Sequence, residues 1–123
     1  ILLIGRVLSA AELSNLLTLA SDNDLDVLYE AHDEEDLNKG IEAGVKIFGI
    51  NNRDLSNFNV SNDNIIKLYQ KIPNDAILIS ESGIAGPEDV ATLKKVGISN
   101  FLVGESIMKS ENRVNFIQNL IKA

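Results

Sequence analysis

The stretch FGINNRDLSNF, Phe48–Phe58, begins as a buried strand and ends as something else. Its apolar run stops at Asn51, Asn52, Arg53 and Asp54. Near-continuous apolar runs are the mark of parallel strands covered on both faces, and the carboxyl ends of such strands are where α/β proteins hold ligands. The run behind the quoted stretch is Lys46–Ile50. Four more of the same kind stand at Ile1–Ile4, Leu25–Tyr29, Ala76–Ser80 and Phe101–Val103. They recur about every 20–30 residues, which leaves room for the crossover helix each parallel connection needs.

Helix signals fill those gaps. Ser9 and Glu12 form a capping box ahead of Leu13, Leu16, Leu17 and Ala20. Asp33, Glu34 and Glu35 put negative charge at the next amino terminus, and Gly44 stands near that helix's end. A third helix is expected over Asn62–Lys71, closed by Pro73. The fourth opens at Pro87 with Glu88 and Asp89, carries Val90, Leu93 and Val96, and stops at Gly97. The fifth is expected over Asn112–Lys122. Five βα units in strict alternation predict an α/β fold with no linker and no low-complexity tract.

Composition narrows the function. Of 123 residues, 45% are hydrophobic, enough for a core, while 5% are aromatic, so that core is aliphatic. A net charge of −7 argues against a nucleic-acid surface, which needs clustered Lys and Arg. The longest apolar runs fall far short of the roughly 18 residues of a membrane helix. Cysteine is absent and no signal-peptide pattern precedes the first strand, which fits a cytoplasmic protein. With one histidine in the chain, a multi-histidine metal site is excluded, and His32 reads as a residue leading into the following helix. Asp22, Asp24 and Asp26 imitate the start of a calcium loop, but the sixth position is Val27 instead of Gly and the twelfth is Asp33 instead of Glu.

The strand ends carry the chemistry. In chain order they offer Glu30 and His32, then Asn51, Asn52 and Arg53, then Glu81, Ser82 and Gly83, and finally Gly104, Glu105 and Ser106. Any one of these could simply mark a strand becoming a loop. Four in succession are harder to dismiss, because ordinary turns prefer Gly, Asn, Asp and Ser over Glu and Arg. Gly83 and Gly104 open the loops after the last two strands, where barrels often bind phosphate through backbone N–H groups. Neither GxGxxG nor a Walker pattern is present, so a nucleotide is not indicated.

LYEAHDEEDL, FGINNRDLSNF, ISESGI and FLVGESIM resemble, in order and spacing, the second half of indole-3-glycerol-phosphate synthase. The resemblance implies a (βα)8 TIM barrel of which this chain is one partial domain, residues 1–123, beginning inside the fourth strand. It implies decarboxylating ring closure of 1-(2-carboxyphenylamino)-1-deoxyribulose 5-phosphate in tryptophan biosynthesis, with neither metal nor organic cofactor. On that resemblance Glu30 is the general base, and Asn51 and Arg53 hold the substrate's hydroxyl and carboxylate region. Glu81 is the glutamate of the seventh strand, and Ser82 is a substrate contact. Gly83, Gly104 and the backbone N–H of Glu105 bind phosphate.

The family's general-acid lysine lies on its third strand, and a second lysine and a glutamate on its first, so the resemblance implies that this chain alone is inactive or nearly so. Stripping three strands would also bare the inner barrel face and two sheet edges. Association with a second copy or with the missing portion is therefore expected, the alternative being rearrangement into an open flavodoxin-like sheet. Two other functions fit some of the motifs. One is a sugar-phosphate-binding half-barrel without turnover. The other is the neighbouring phosphoribosylanthranilate isomerase, which ISESGI alone would allow but FGINNRDL and Glu30 disfavour.

Overall fold

Each apolar run forms a strand, and all the strands are parallel. The computed structural model describes residues 1–52 and 63–123. Its strands are β1 (Leu2–Ile4), β2 (Leu28–Ala31), β3 (Ile47–Asn51), β4 (Ile77–Glu81) and β5 (Phe101–Leu102). They make one sheet in the order β1-β2-β3-β4-β5, each strand pairing with the next in sequence. A flavodoxin-like sheet would reverse direction and run 2-1-3-4-5. The observed order is an arc of a barrel wall, and it corrects the open-sheet alternative.

The helices are α1 (Ala10–Asp22), α2 (Glu34–Glu42), α3 (Asp63–Tyr69), α4 (Pro87–Lys95), α5 (Glu105–Lys109) and α6 (Arg113–Lys122). The short α5 and a single 3-10 turn at Gly5–Val7 have no counterpart among the expected elements. The expected start of the third helix at Asn62 lies outside the described residues.

Sequence chemistry accounts for the helix ends. Ser9 and Glu12 make the reciprocal capping box at α1, and the Asp33 carboxylate accepts from the Asp36 N–H at α2. At the other end of α1 the Leu25 N–H reaches the Ala20 carbonyl and the Asp24 N–H the Ser21 carbonyl, with Asp24 left-handed at φ 53°. That is a Schellman closure with aspartate in the usual glycine position. The same closure ends α2 at Gly44 and α4 at Gly97. Leu25 thus belongs to a helix cap, which is why β2 begins at Leu28 and not at the head of its apolar run. The aspartates that imitate a calcium loop are, in part, this cap.

Among the described residues only one sheet face is covered, as a partial barrel implies and not as the apolar runs alone suggest. Leu3, Tyr29, Ala31, Phe48, Ile50, Leu78 and Ser80 point toward the helices and are buried. They meet Leu13, Leu37, Ile65, Leu68, Val90 and Leu93 there. Tyr29 and Phe48 stack edge to face at 6.0 Å, and Gly40 of α2 sits on both rings. A Cβ at position 40 would come within 2.6 Å of Tyr29, so the close approach of α2 requires glycine. On the opposite face, Leu2, Ile77 and Leu102 stay 51%, 51% and 55% exposed. Parallel sheets are normally buried on both sides; this one presents a bare apolar lumen face.

Candidate active site

Register brings the polar strand tips onto that lumen face. Ile4, Glu30, Gly49 and Ile79 are cross-strand partners along one row, and Asn51, Glu81 and Leu102 form the next row toward the carboxyl ends. Partners in a parallel ladder share a face, so Glu30, Asn51 and Glu81 face the same way. Gly49 lies between them in the first row. Its missing side chain leaves a slot, and the Glu81 carboxylate folds back into it: a Cβ at position 49 would lie inside the Glu81 Oε1 and Cδ atoms.

The three polar groups form one cluster. The Asn51 Nδ2 donates to Glu30 Oε1 at 3.2 Å. Glu81 is buried. Burial, the Glu30 charge and a hydrogen bond with Glu30 together push its carboxyl from an ordinary 4.5 up to about 7. Removing a carboxylate from water disfavours its charge, and a second carboxylate beside it does the same. Glu81 therefore carries its proton well above the usual carboxylate range.

The β4 loop is held in a costly shape beside this cluster. Ser82 is left-handed at φ 61° and Gly83 follows at φ 81°. A non-glycine residue there costs on the order of 1–3 kcal/mol and persists only under constraint. Asn52 supplies the constraint. Its amide donates to Ser80 Oγ at 3.0 Å and to the Ser82 carbonyl at 3.3 Å. Its own backbone N–H bonds the Glu81 carbonyl at 2.9 Å. Ser106 then ties the β5 loop on, donating from Oγ to the Ile84 carbonyl at 2.5 Å.

Glu30, Asn51, Glu81, Ser82, Gly83, Gly104 and Glu105 all line one open cavity of about 470 Å³. Arg53 lies outside the described residues. A Cβ at Gly104 would meet nothing, so that position faces free space, whereas Gly83 needs glycine for its φ. The Glu105 carboxylate pairs with Lys109 Nζ one turn along α5 at 2.6 Å. Gly49 was not among the expected site residues, and Asn52, expected as one of the polar residues ending β3, braces the β4 loop. The glycine was legible only as part of an apolar run, because its place between Glu30 and Ile79 depends on strand register. Among the described residues, no group of three or more His, Asp or Glu is arranged to hold a metal ion, and no helix is long and apolar enough to cross a membrane.

The family model for indole-3-glycerol phosphate synthase matches residues 1–120. An indole-3-glycerol phosphate synthase of Lachnoclostridium phytofermentans is 39% identical, over 98% of this chain and 44% of that protein. One of Leuconostoc mesenteroides is 42% identical, over 98% and 46%. The chain therefore spans about half the length of the curated relatives it matches. Among solved structures, thiamine phosphate pyrophosphorylase from Pyrococcus furiosus superposes with a TM-score of 0.76 at 14% identity, covering 98% of this chain and 56% of the other. 3-Hexulose-6-phosphate synthase from Salmonella typhimurium gives 0.75 at 14% identity, covering 98% and 59%. At such identities the likeness is one of fold.

Proposed function

The chain belongs to the indole-3-glycerol phosphate synthase family, and we propose that it supplies one side of an active site that closes the indole ring of 1-(2-carboxyphenylamino)-1-deoxyribulose 5-phosphate, in cytoplasmic tryptophan biosynthesis. The observation that carries this reading is the Glu30–Asn51–Glu81 cluster at the cavity mouth, where the Glu81 carboxyl is pushed up to about 7 beside Glu30.

The reaction delivers one proton to the ketone oxygen and a second to the departing hydroxyl, and removes one from carbon. The ketone carbon bonds to the ring carbon that bears the carboxylate, and carbon dioxide leaves from that carbon. The hydroxyl formed at the old ketone then departs as water, with a proton taken from the adjacent carbon. Glu30 is the base for that last step. Asn51 keeps the Glu30 carboxylate turned to the cavity and hydrogen-bonds a substrate hydroxyl. Glu81 holds its proton beside the base, an arrangement in which two like groups take different roles. The backbones of Gly83, Gly104 and Glu105, with the Ser82 hydroxyl, surround the phosphate end. Arg53, by resemblance, meets the substrate's carboxylate, for which its planar fork is suited.

Among the described residues no lysine lines the cavity. A general acid contributes typically about 10²–10⁴ in rate, so the 123-residue chain by itself is expected to turn over far below a complete enzyme. The bare lumen face supports the same view: it suits closure by further strands or by a second copy.

The deciding experiment is E30Q in an enzyme with all its strands present. Product formation should fall by at least about 10²-fold while calorimetric binding of a substrate analogue changes little. Undiminished turnover in E30Q would remove Glu30 as the base. Binding without product in the wild type would instead favour a sugar-phosphate-binding module.

A further inference from the structure

Behind the cluster lies a buried histidine with no part in the mechanism above. His32 leads into α2 as its place in the sequence suggests, but its side chain is only 5% exposed. Nε2 stands 3.0 Å from Glu30 Oε1, and Nδ1 stands 3.8 Å from Asp36 Oδ2. Among the described residues neither ring nitrogen has an aligned hydrogen bond. Leaving a buried polar atom unsatisfied costs stability, so a residue with packing as its sole task would be better served by leucine. Nε2 is nonetheless already within hydrogen-bond distance of the Glu30 carboxylate.

We propose that His32 is a positioning residue for Glu30: its imidazole, braced by Asp36, fixes the carboxylate at the cavity mouth. The bracing is traceable. The His32 backbone N–H donates to Asp36 Oδ2 at 3.2 Å, and its carbonyl accepts from Asn64 Nδ2 at 2.9 Å. The other Asp36 oxygen lies 3.7 Å from Lys39 Nζ, which donates to the carbonyls of Gly5 at 2.8 Å and Leu8 at 3.0 Å. The loop after β1, the start of α2 and the tip of β2 are thus joined through one ring. Among the described residues the charged groups around it are Glu30 from β2, Asp36 and Lys39 from α2, and Glu81 from β4 beyond Glu30; α3 contributes the neutral Asn64. Glu30 Oε1 then has Asn51 and His32 as neighbours, which stops the carboxylate swinging away from the substrate.

This deepens the reading of Glu30 as the base and rests on it, so the test has two arms. The first uses the complete enzyme. His32→Leu should lower kcat about 10–100-fold, the scale of a misplaced catalytic group, with KM nearly unchanged. His32→Gln, whose amide can occupy the Nε2 position, should restore most of that loss. A His32→Leu enzyme with wild-type kcat would overturn the proposal, as would Gln and Leu variants that are equally impaired.

The second arm needs no activity. In 15N spectra of the imidazole, assigned by its disappearance in His32→Gln, both Glu30→Gln and Asp36→Asn should move the ring signals. Ring signals indifferent to Glu30→Gln would overturn the contact even if the wild type makes no product. Should His32→Leu fail to fold, this arm and the Gln variant decide.

Discussion

At position 49 a methyl group would occupy the place of the Glu81 carboxylate, so the acid pair exists because a strand interior gives up a side chain. Glycine weakens a strand, and its presence there marks a close approach. The pair has a signature in pH. Glu81 titrates at about 7 in the folded chain against an ordinary 4.5, so between those values the folded state binds more protons than the unfolded one. Stability must then fall as pH rises from about 4.5 to about 7. Glu81→Gln should flatten that segment of a plot of melting temperature against pH; a wild-type curve already flat there would exclude the raised carboxyl. Glu12, Asp33 and Asp75 are shifted downward by their hydrogen bonds, and their contributions vanish only at lower pH, outside this window. From sequence, Glu30, Asn51 and Glu81 were legible because each interrupts an apolar run. His32 was not, since its burial depends on Asp36 arriving from the next helix.

Among the elements, the helix ends were written most plainly where glycine stood, at Gly44 and Gly97. The end of α1 was obscure because Asp24 takes the left-handed position, at φ 53°. That substitution has a measurable cost. Asp24→Gly should stabilise the chain by about 0.5–1 kcal/mol, since relief of the left-handed backbone outweighs the added freedom of the unfolded chain. Chemical denaturation would register it as a higher midpoint at constant slope, and a lower midpoint would show that the aspartate side chain is needed in the cap. The short α5 escaped notice because five residues carry no helical periodicity. Gly104, its N-cap, is also the glycine of the expected phosphate loop.

For the whole molecule, the alternation of strands and helices predicted the class, while the order of the sheet and its open face followed only from the resemblance to a partial barrel. Leu2, Ile4, Ile77 and Leu102 sit on that face, and β1 and β5 are unpaired on their outer edges. Burying a single large aliphatic side chain is worth about 1.5–3 kcal/mol. Sedimentation of the 123-residue chain at micromolar concentration should therefore show association, and the double variant I77K/L102K should shift it toward monomer. A wild-type chain that is strictly monomeric, folded and high-melting would argue that the open face is stable in water.

The unbroken strand order also bears on how the chain acquires its shape. Leu2 pairs with Leu28, Leu28 with Ile47, Ile47 with Ile77 and Ser80 with Phe101, so no ladder closes a span longer than about 30 residues. Spans of about 20–30 residues must still be closed before each parallel pairing is rewarded, which makes such sheets slow to form. No pairing waits for a distant part of the chain, however, because every strand finds its sheet neighbour in the preceding βα unit.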